Sequence, residues 1–107
     1  MFVDGIKKIA EVEAVARHLP GPKIVSIVDG NETTALSASD LQGMGFAMVL
    51  YAVTALFSAA LAVEQALARL RRDGTPRDVP SLAYADFTRI VGLPAHQQLD
   101  AQFGAEG

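Results

Sequence analysis

Two short apolar runs constrain the fold of this chain more than any other feature of its sequence. Ile24–Val28 is almost continuously apolar and rich in β-branched residues, which is typical of a strand buried on both faces of a parallel sheet. Phe46–Tyr51 reads as a second short strand, and Phe2-Val3 as the stub of an earlier one that ends at Asp4-Gly5. The pattern predicts that these strands run parallel and that the last two do not form a hairpin.

The segments between and after these strands have the periodicity of helices. An apolar stripe with three- and four-residue spacing predicts a first helix, which Pro20 ends. Ser37 and Asp40 are spaced as a capping box and begin a short helix. The longest helix is predicted over about residues 54–72, and two shorter helices follow. Because the first three turns of the longest helix carry no charge, we expect more than one of its faces to be buried.

Composition excludes several classes of protein. A length of 107 residues allows one small domain. The net charge of −3 provides no basic surface for a phosphate backbone, so we expect no nucleic-acid partner. The absence of cysteine excludes disulfides, thiolate catalysis and zinc–sulfur sites. The start of the chain lacks the features of a signal peptide, and a cytoplasmic location fits these observations.

The uncharged run from Leu41 to Val63 allows a second interpretation, since about 20 apolar residues suffice to span a bilayer. A single-pass membrane protein is therefore one alternative. The run contains Gly43, Gly45 and Thr54, however, and its first part reads as a strand. These features favour a buried strand that continues into a buried helix, with no membrane partner.

The alternation of strands and helices predicts a parallel sheet with helical crossovers. Three strands are too few for such a sheet, because one edge and one apolar face remain uncovered. The sequence therefore reads as part of a larger fold.

Several short segments form an ordered set: Met1–Gly5, Val25–Gly30, Leu36–Ala38, Gly45-Phe46, Tyr51–Leu56, Arg72–Thr75 and Phe87–Pro94. This set resembles the last three strands and the C-terminal helices of the isocitrate lyase/phosphoenolpyruvate mutase superfamily, in particular methylisocitrate lyase-like and carboxyphosphonoenolpyruvate mutase-like proteins. The resemblance implies an α/β fold, the C-terminal portion of a (β/α)₈ TIM-type barrel. Residues 1–75 would contain strands six to eight, and residues 76–107 a C-terminal helical extension.

The resemblance also implies a chemistry. Members of the superfamily are Mg²⁺-dependent lyases or mutases that act on C–C or P–C bonds of small carboxylates, of the 2-methylisocitrate, isocitrate or phosphonopyruvate type. Their metal ligands, mobile catalytic loop and substrate arginine come from earlier strands of the barrel. We therefore expect Mg²⁺ in a complete barrel, but no cofactor, metal ligand, catalytic residue or turnover in this chain alone.

Four residues match substrate-facing positions of the superfamily and are the predicted substrate-binding residues: Asp4, Ser26, Asp29 and Thr54. Asp4 and Asp29 stand where the superfamily commonly has Glu, and Ser26 where it has a substrate-binding Asn. Ser26 cannot make the contacts of an amide, which puts the usual substrate in question. On residue type alone, the two Asp-Gly pairs are ordinary turn formers.

Two classes of function stay open. The first is a fragment or remnant of a lyase or mutase, which a complementing N-terminal segment would complete. The second is a non-catalytic interaction module that associates with a second copy of itself through its uncovered sheet and its longest helix.

Overall fold

The computed structural model describes residues 1–104, and the last three residues of the predicted C-terminal extension, 105–107, lie outside the described part. The elements are α1 (Ile9–His18), β1 (Lys23–Ile27), a 3₁₀ turn (Glu32–Ala35), α2 (Ala38–Gly43), β2 (Phe46–Tyr51), α3 (Thr54–Asp73), α4 (Tyr84–Ile90) and α5 (Leu93–Phe103). They form two compact units, Met1–Glu64 and the part from Gln65 onwards. The predicted boundary after residue 75 stays a prediction.

The first unit contains a parallel sheet of two strands. β1 pairs with β2 in register Ser26–Leu50 and Ile27–Tyr51, which confirms the predicted parallel arrangement of these strands. The predicted first strand is present only as one parallel bridge, between Phe2 and Ile24. The α/β class is thus confirmed, while the closed barrel stays a prediction.

The core of the first unit lies on one face of this sheet. Its buried apolar residues come from α1, α2 and both strands: Val12, Val25, Ile27, Leu41 and Phe46. On β2, by contrast, Met48 is 53% and Leu50 42% exposed. Since apolar burial is the main favourable term in folding, α1 and α2 hold the sheet by its covered face and leave apolar side chains of β2 in contact with water.

Several local signals in the sequence determine element boundaries as predicted. The backbone N–H of Asp40 donates to Ser37 Oγ at 3.1 Å, and the backbone N–H of Ser37 donates to Asp40 Oδ2 at 2.8 Å. This reciprocal pair is the predicted capping box, and it begins α2. β2 has the predicted limits. The segment after β1 was predicted to be a polar loop, but its residues 32–35 form a 3₁₀ turn.

The expectation that α3 buries more than one face is wrong for the structure described. None of its residues is buried, and Leu56 and Leu67 remain 65% and 61% exposed. The apolar pattern of a helix indicates that a covering surface would stabilise it, but burial also requires that surface to be present.

The uncharged run Leu41–Val63 is divided among α2, β2 and α3 rather than forming one helix. Within residues 1–104, no helix combines the length and the hydrophobicity that crossing a membrane requires.

Candidate functional site

The predicted site residues lie at the carboxyl ends of the parallel strands in the first unit. Because the Phe2–Ile24 bridge is parallel, Asp4 and Ser26 each follow it by two residues and come to lie side by side. Asp29 follows the end of β1, and Thr54 begins α3 just after β2. The carboxyl ends of parallel strands are where α/β folds bind ligands, so the topology brings all four residues to a functional edge.

Asp4 and Ser26 line a common cleft of about 150 Å³. The other lining residues are Val3, Gly5, Ile6, Lys7, Val28 and Asn31. The cleft is smaller than the roughly 300–1,000 Å³ of pockets that bind drug-sized molecules. It therefore suits a small metabolite, and its lining residues include ones with carboxylate, hydroxyl, ammonium and amide side chains.

The Asp4-Gly5 pair also forms the turn that its residue types indicate. Gly5 adopts a φ of 79°, in the left-handed region that favours glycine. Its backbone N–H donates to Asp4 Oδ1 at 2.8 Å. The turn thus fixes one oxygen of Asp4, and the binding role of this carboxylate remains a prediction beside its structural one.

Asp29 and Thr54 form a second pair. The Thr54 hydroxyl donates to Asp29 Oδ2 at 2.7 Å, and neither residue lines the cleft of Asp4 and Ser26. This hydrogen bond joins the loop after β1 to the first turn of α3. The structure therefore separates the four predicted residues into two pairs, of which only Asp4 and Ser26 share a cleft.

Lys7 and Asn31 were not predicted as site residues. Both line the cleft, and the two loops that carry them are joined because the Ile9 backbone N–H donates to Glu32 Oε1 at 2.8 Å, which ties the start of α1 to the turn after β1. This contact spans 23 residues, and no local pattern in the sequence signals it.

The loop that carries Lys7 is also held from within. Glu11 Oε2 accepts hydrogen bonds from the backbone N–H groups of Lys7 and Lys8, at 2.9 and 3.0 Å. These bonds, the one from Lys7 first, hold the pKa of the Glu11 carboxyl below its usual value, because they stabilise its charged form. The backbone between Asp4 and α1 is therefore fixed by hydrogen bonds on both sides of Lys7.

The site does not fit a complete Mg²⁺ centre by itself. Mg²⁺ requires near-octahedral oxygen coordination, with some ligands supplied by carboxylates and the rest by water or substrate. Among residues 1–104, no group of three or more His, Cys, Asp or Glu side chains is placed to hold a metal ion. We therefore assign no metal ligand in this segment.

Comparison with known proteins gives a consistent set of relatives, although no family model matches the chain. The chain is 24% identical over 104 residues, 95% of its length, to a carboxyvinyl-carboxyphosphonate phosphorylmutase of Arabidopsis thaliana. It is 31% identical over 75 residues, 70% of its length, to a 2-methylisocitrate lyase of Halalkalibacterium halodurans. These matches cover 31% and 25% of the two relatives, so the chain spans about a third of their length or less.

Solved structures agree with these relatives. A 2,3-dimethylmalate lyase superposes with a TM-score of 0.78 at 30% identity, over 96% of this chain and 36% of the lyase. An oxaloacetate acetylhydrolase superposes with a TM-score of 0.81 at 20% identity, over 99% of this chain and 36% of the hydrolase, and supports the fold alone.

Proposed function

Because this chain is related over nearly its whole length to the isocitrate lyase/phosphoenolpyruvate mutase superfamily, we propose that it supplies the C-terminal part of a lyase or mutase barrel. The complete barrel acts on a small carboxylate, of the 2-methylisocitrate, isocitrate or phosphonopyruvate type, with Mg²⁺ as cofactor. The 107 residues alone do not catalyse the reaction. We place the protein in the cytoplasm.

The observation that carries this proposal is the cleft at the carboxyl ends of the strands. Asp4 and Ser26 both line it, and the sequence resemblance assigns both to substrate-facing positions. We assign Asp29 and Thr54 a positioning role, because their hydrogen bond holds the loop after β1 beside the start of α3. Asp4 and Ser26 would contact the substrate, and the Asp29–Thr54 pair would hold the rim of the site.

Catalysis in this superfamily depends on groups that the resemblance assigns to earlier strands. Preorganised charges and hydrogen-bond donors are usually the largest catalytic term, and a metal ion supplies much of that term where the reaction passes through an enolate. The open face of β2 supports the need for further strands, because Met48 and Leu50 would be covered inside a closed barrel.

A chimera tests this proposal. The first two-thirds of the 2,3-dimethylmalate lyase of Eubacterium barkeri, which this chain matches over 105 residues, would be fused before or co-expressed with this chain. We expect Mg²⁺-dependent cleavage of a small carboxylate by the chimera and none by the 107-residue chain. Asp4→Ala should reduce the activity by about tenfold or more, since a hydrogen bond to a charged group contributes roughly 1.5–3 kcal/mol.

Asp29→Ala should also reduce activity, and Thr54→Val should reproduce part of its effect by removing the same hydrogen bond. Asp78→Ala serves as the control, because Asp78 lies outside the unit that contains the cleft. Turnover by the 107-residue chain alone would contradict the proposal. Full activity of both Asp4→Ala and Asp29→Ala in the chimera would contradict the residue assignment.

The exposed apolar surface of α3 favours a second function, self-association. Leu56, Val63 and Leu67 share one face of the helix and are each more than half exposed, and contiguous apolar surface of this kind commonly marks an interaction site. We propose that a second copy of the chain, or a complementing N-terminal segment, covers this helix. Sedimentation of the purified chain at micromolar concentration separates the outcomes, since a monodisperse monomer would contradict self-association.

A further inference from the structure

The cleft that contains Asp4 and Ser26 has a second set of polar groups, contributed by Lys7 and Asn31. Neither residue has a part in the function proposed above. Asp4 and Ser26 lie side by side at the level of the strands, because both follow the Phe2–Ile24 bridge by two residues. Lys7 lies two residues before Ile9, and Asn31 immediately precedes Glu32, so the Ile9–Glu32 hydrogen bond ties together the two loops that carry them.

The side chains of Lys7 and Asn31 are available to receive an anion. The acidic neighbours Glu11 and Glu32 accept hydrogen bonds from backbone N–H groups at the start of α1. Within residues 1–104, no ion pair engages the Lys7 ammonium, and no hydrogen bond joins the Asn31 side-chain amide to another residue. An ammonium and an amide N–H are both donors that suit a carboxylate.

Asp4 and Ser26 have the opposite preference. Asp4 Oδ1 accepts from the Gly5 backbone N–H, so the second carboxylate oxygen remains to accept a hydrogen bond from a ligand. An ionised carboxylate only accepts hydrogen bonds, and it repels another anion at short distance. The ligand group beside Asp4 and Ser26 should therefore be a hydrogen-bond donor such as a hydroxyl.

We propose that Lys7 and Asn31 bind the carboxylate of a small hydroxy acid whose hydroxyl group contacts Asp4 and Ser26. This inference rests on the proposed function, because it takes the cleft as the substrate site. It adds two binding residues and assigns the carboxylate and the hydroxyl of the ligand to different residues of the cleft. Ser26 has no amide, although it stands where the superfamily commonly has Asn. Asn31 supplies an amide to the same cleft. The cleft volume of about 150 Å³ limits the ligand to a small acid.

Ligand-observed NMR with lactate and propionate tests this assignment, since these acids differ by one hydroxyl and the method detects weak binding by monomers and assemblies alike. We expect the full chain to bind lactate more tightly than propionate, and Asp4→Ala to remove that preference. Lys7→Gln and Asn31→Ala should each weaken lactate binding by about threefold to tenfold, the range for hydrogen bonds and exposed charges.

Lys8→Gln is the matched control, because Lys8 is the neighbouring ammonium but does not line the cleft. It should bind lactate as the wild-type chain does, and Lys7→Arg should retain binding because it retains the charge. Added salt should weaken binding by the wild-type chain more than by Lys7→Gln.

Wild-type lactate affinity in both Lys7→Gln and Asn31→Ala would overturn the inference, as would the absence of lactate binding by the wild-type chain. If Ser26→Ala or Asp4→Ala weakened binding while the Lys7 and Asn31 variants did not, the inference would fail and the cleft would stand as the substrate site. The activity of the chimera tests the proposed function separately, since that test uses no variant of Lys7 or Asn31.

Discussion

Leu41→Ala tests whether the small core of the first unit holds this chain together without a complete barrel. Leu41 is fully buried among Val12, Val25, Ile27 and Phe46. Truncation of a buried leucine removes its transfer free energy and leaves a cavity, at a cost of about 2–5 kcal/mol. Proteins are stable by only about 0.05–0.15 kcal/mol per residue, so we expect the variant to be largely unfolded or to melt at least about 8 °C lower.

Leu50→Ala is the matched control, because it removes the same atoms from the same unit. Leu50 lies on the uncovered face of β2 and is 42% exposed. Full burial of a leucine contributes roughly 1.5–3 kcal/mol, so a side chain that is about half covered should contribute about 1 kcal/mol. Water fills the space that its truncation leaves, and no enclosed cavity is added.

Urea denaturation of both variants, followed by circular dichroism, measures the difference. We expect the midpoint of Leu41→Ala to be far below that of Leu50→Ala. Equal midpoints would refute the reasoning, since they would mean that the covered face of the sheet contributes no more than the open one. In the chimera, the loss for Leu50→Ala should increase, because the barrel interior would then enclose this side chain.

Two further measurements follow from the structure. The Ser37 side chain, and then its backbone N–H, hold the pKa of the Asp40 carboxyl below its ordinary value of 3.8; the stabilisation is therefore present above that value and is lost as the pH falls through the lowered pKa. Ser37→Ala should lower the urea midpoint at pH 7 and reduce the loss of stability below about pH 4, whereas an unchanged acid dependence would contradict this account of the cap. For self-association, replacement of Leu56 and Leu67 by Gln should shift the sedimentation of the chain towards the monomer, while replacement of the exposed Leu82 should not; equal effects would show that α3 is not the contact.

Features that depend on neighbours a few residues away could be predicted from the order of the amino acids alone. The β-branched run of β1, the limits of β2 and the Ser37–Asp40 capping box were all predicted, because strand periodicity and helix caps act through adjacent residues. The parallel arrangement followed from the helices between the strands, since parallel strands require such crossovers.

Contacts between residues far apart in the chain were set by the tertiary structure. It reduced the predicted first strand to the Phe2–Ile24 bridge and left α3 without a buried residue, because strand length and burial depend on neighbours that periodicity does not specify. It also paired Thr54 with Asp29, 25 residues away, and brought Lys7 and Asn31 to the lining of one cleft, beside the Ile9–Glu32 hydrogen bond. Such contacts arise from the packing of α1 and the sheet, and no spacing in the sequence encodes them.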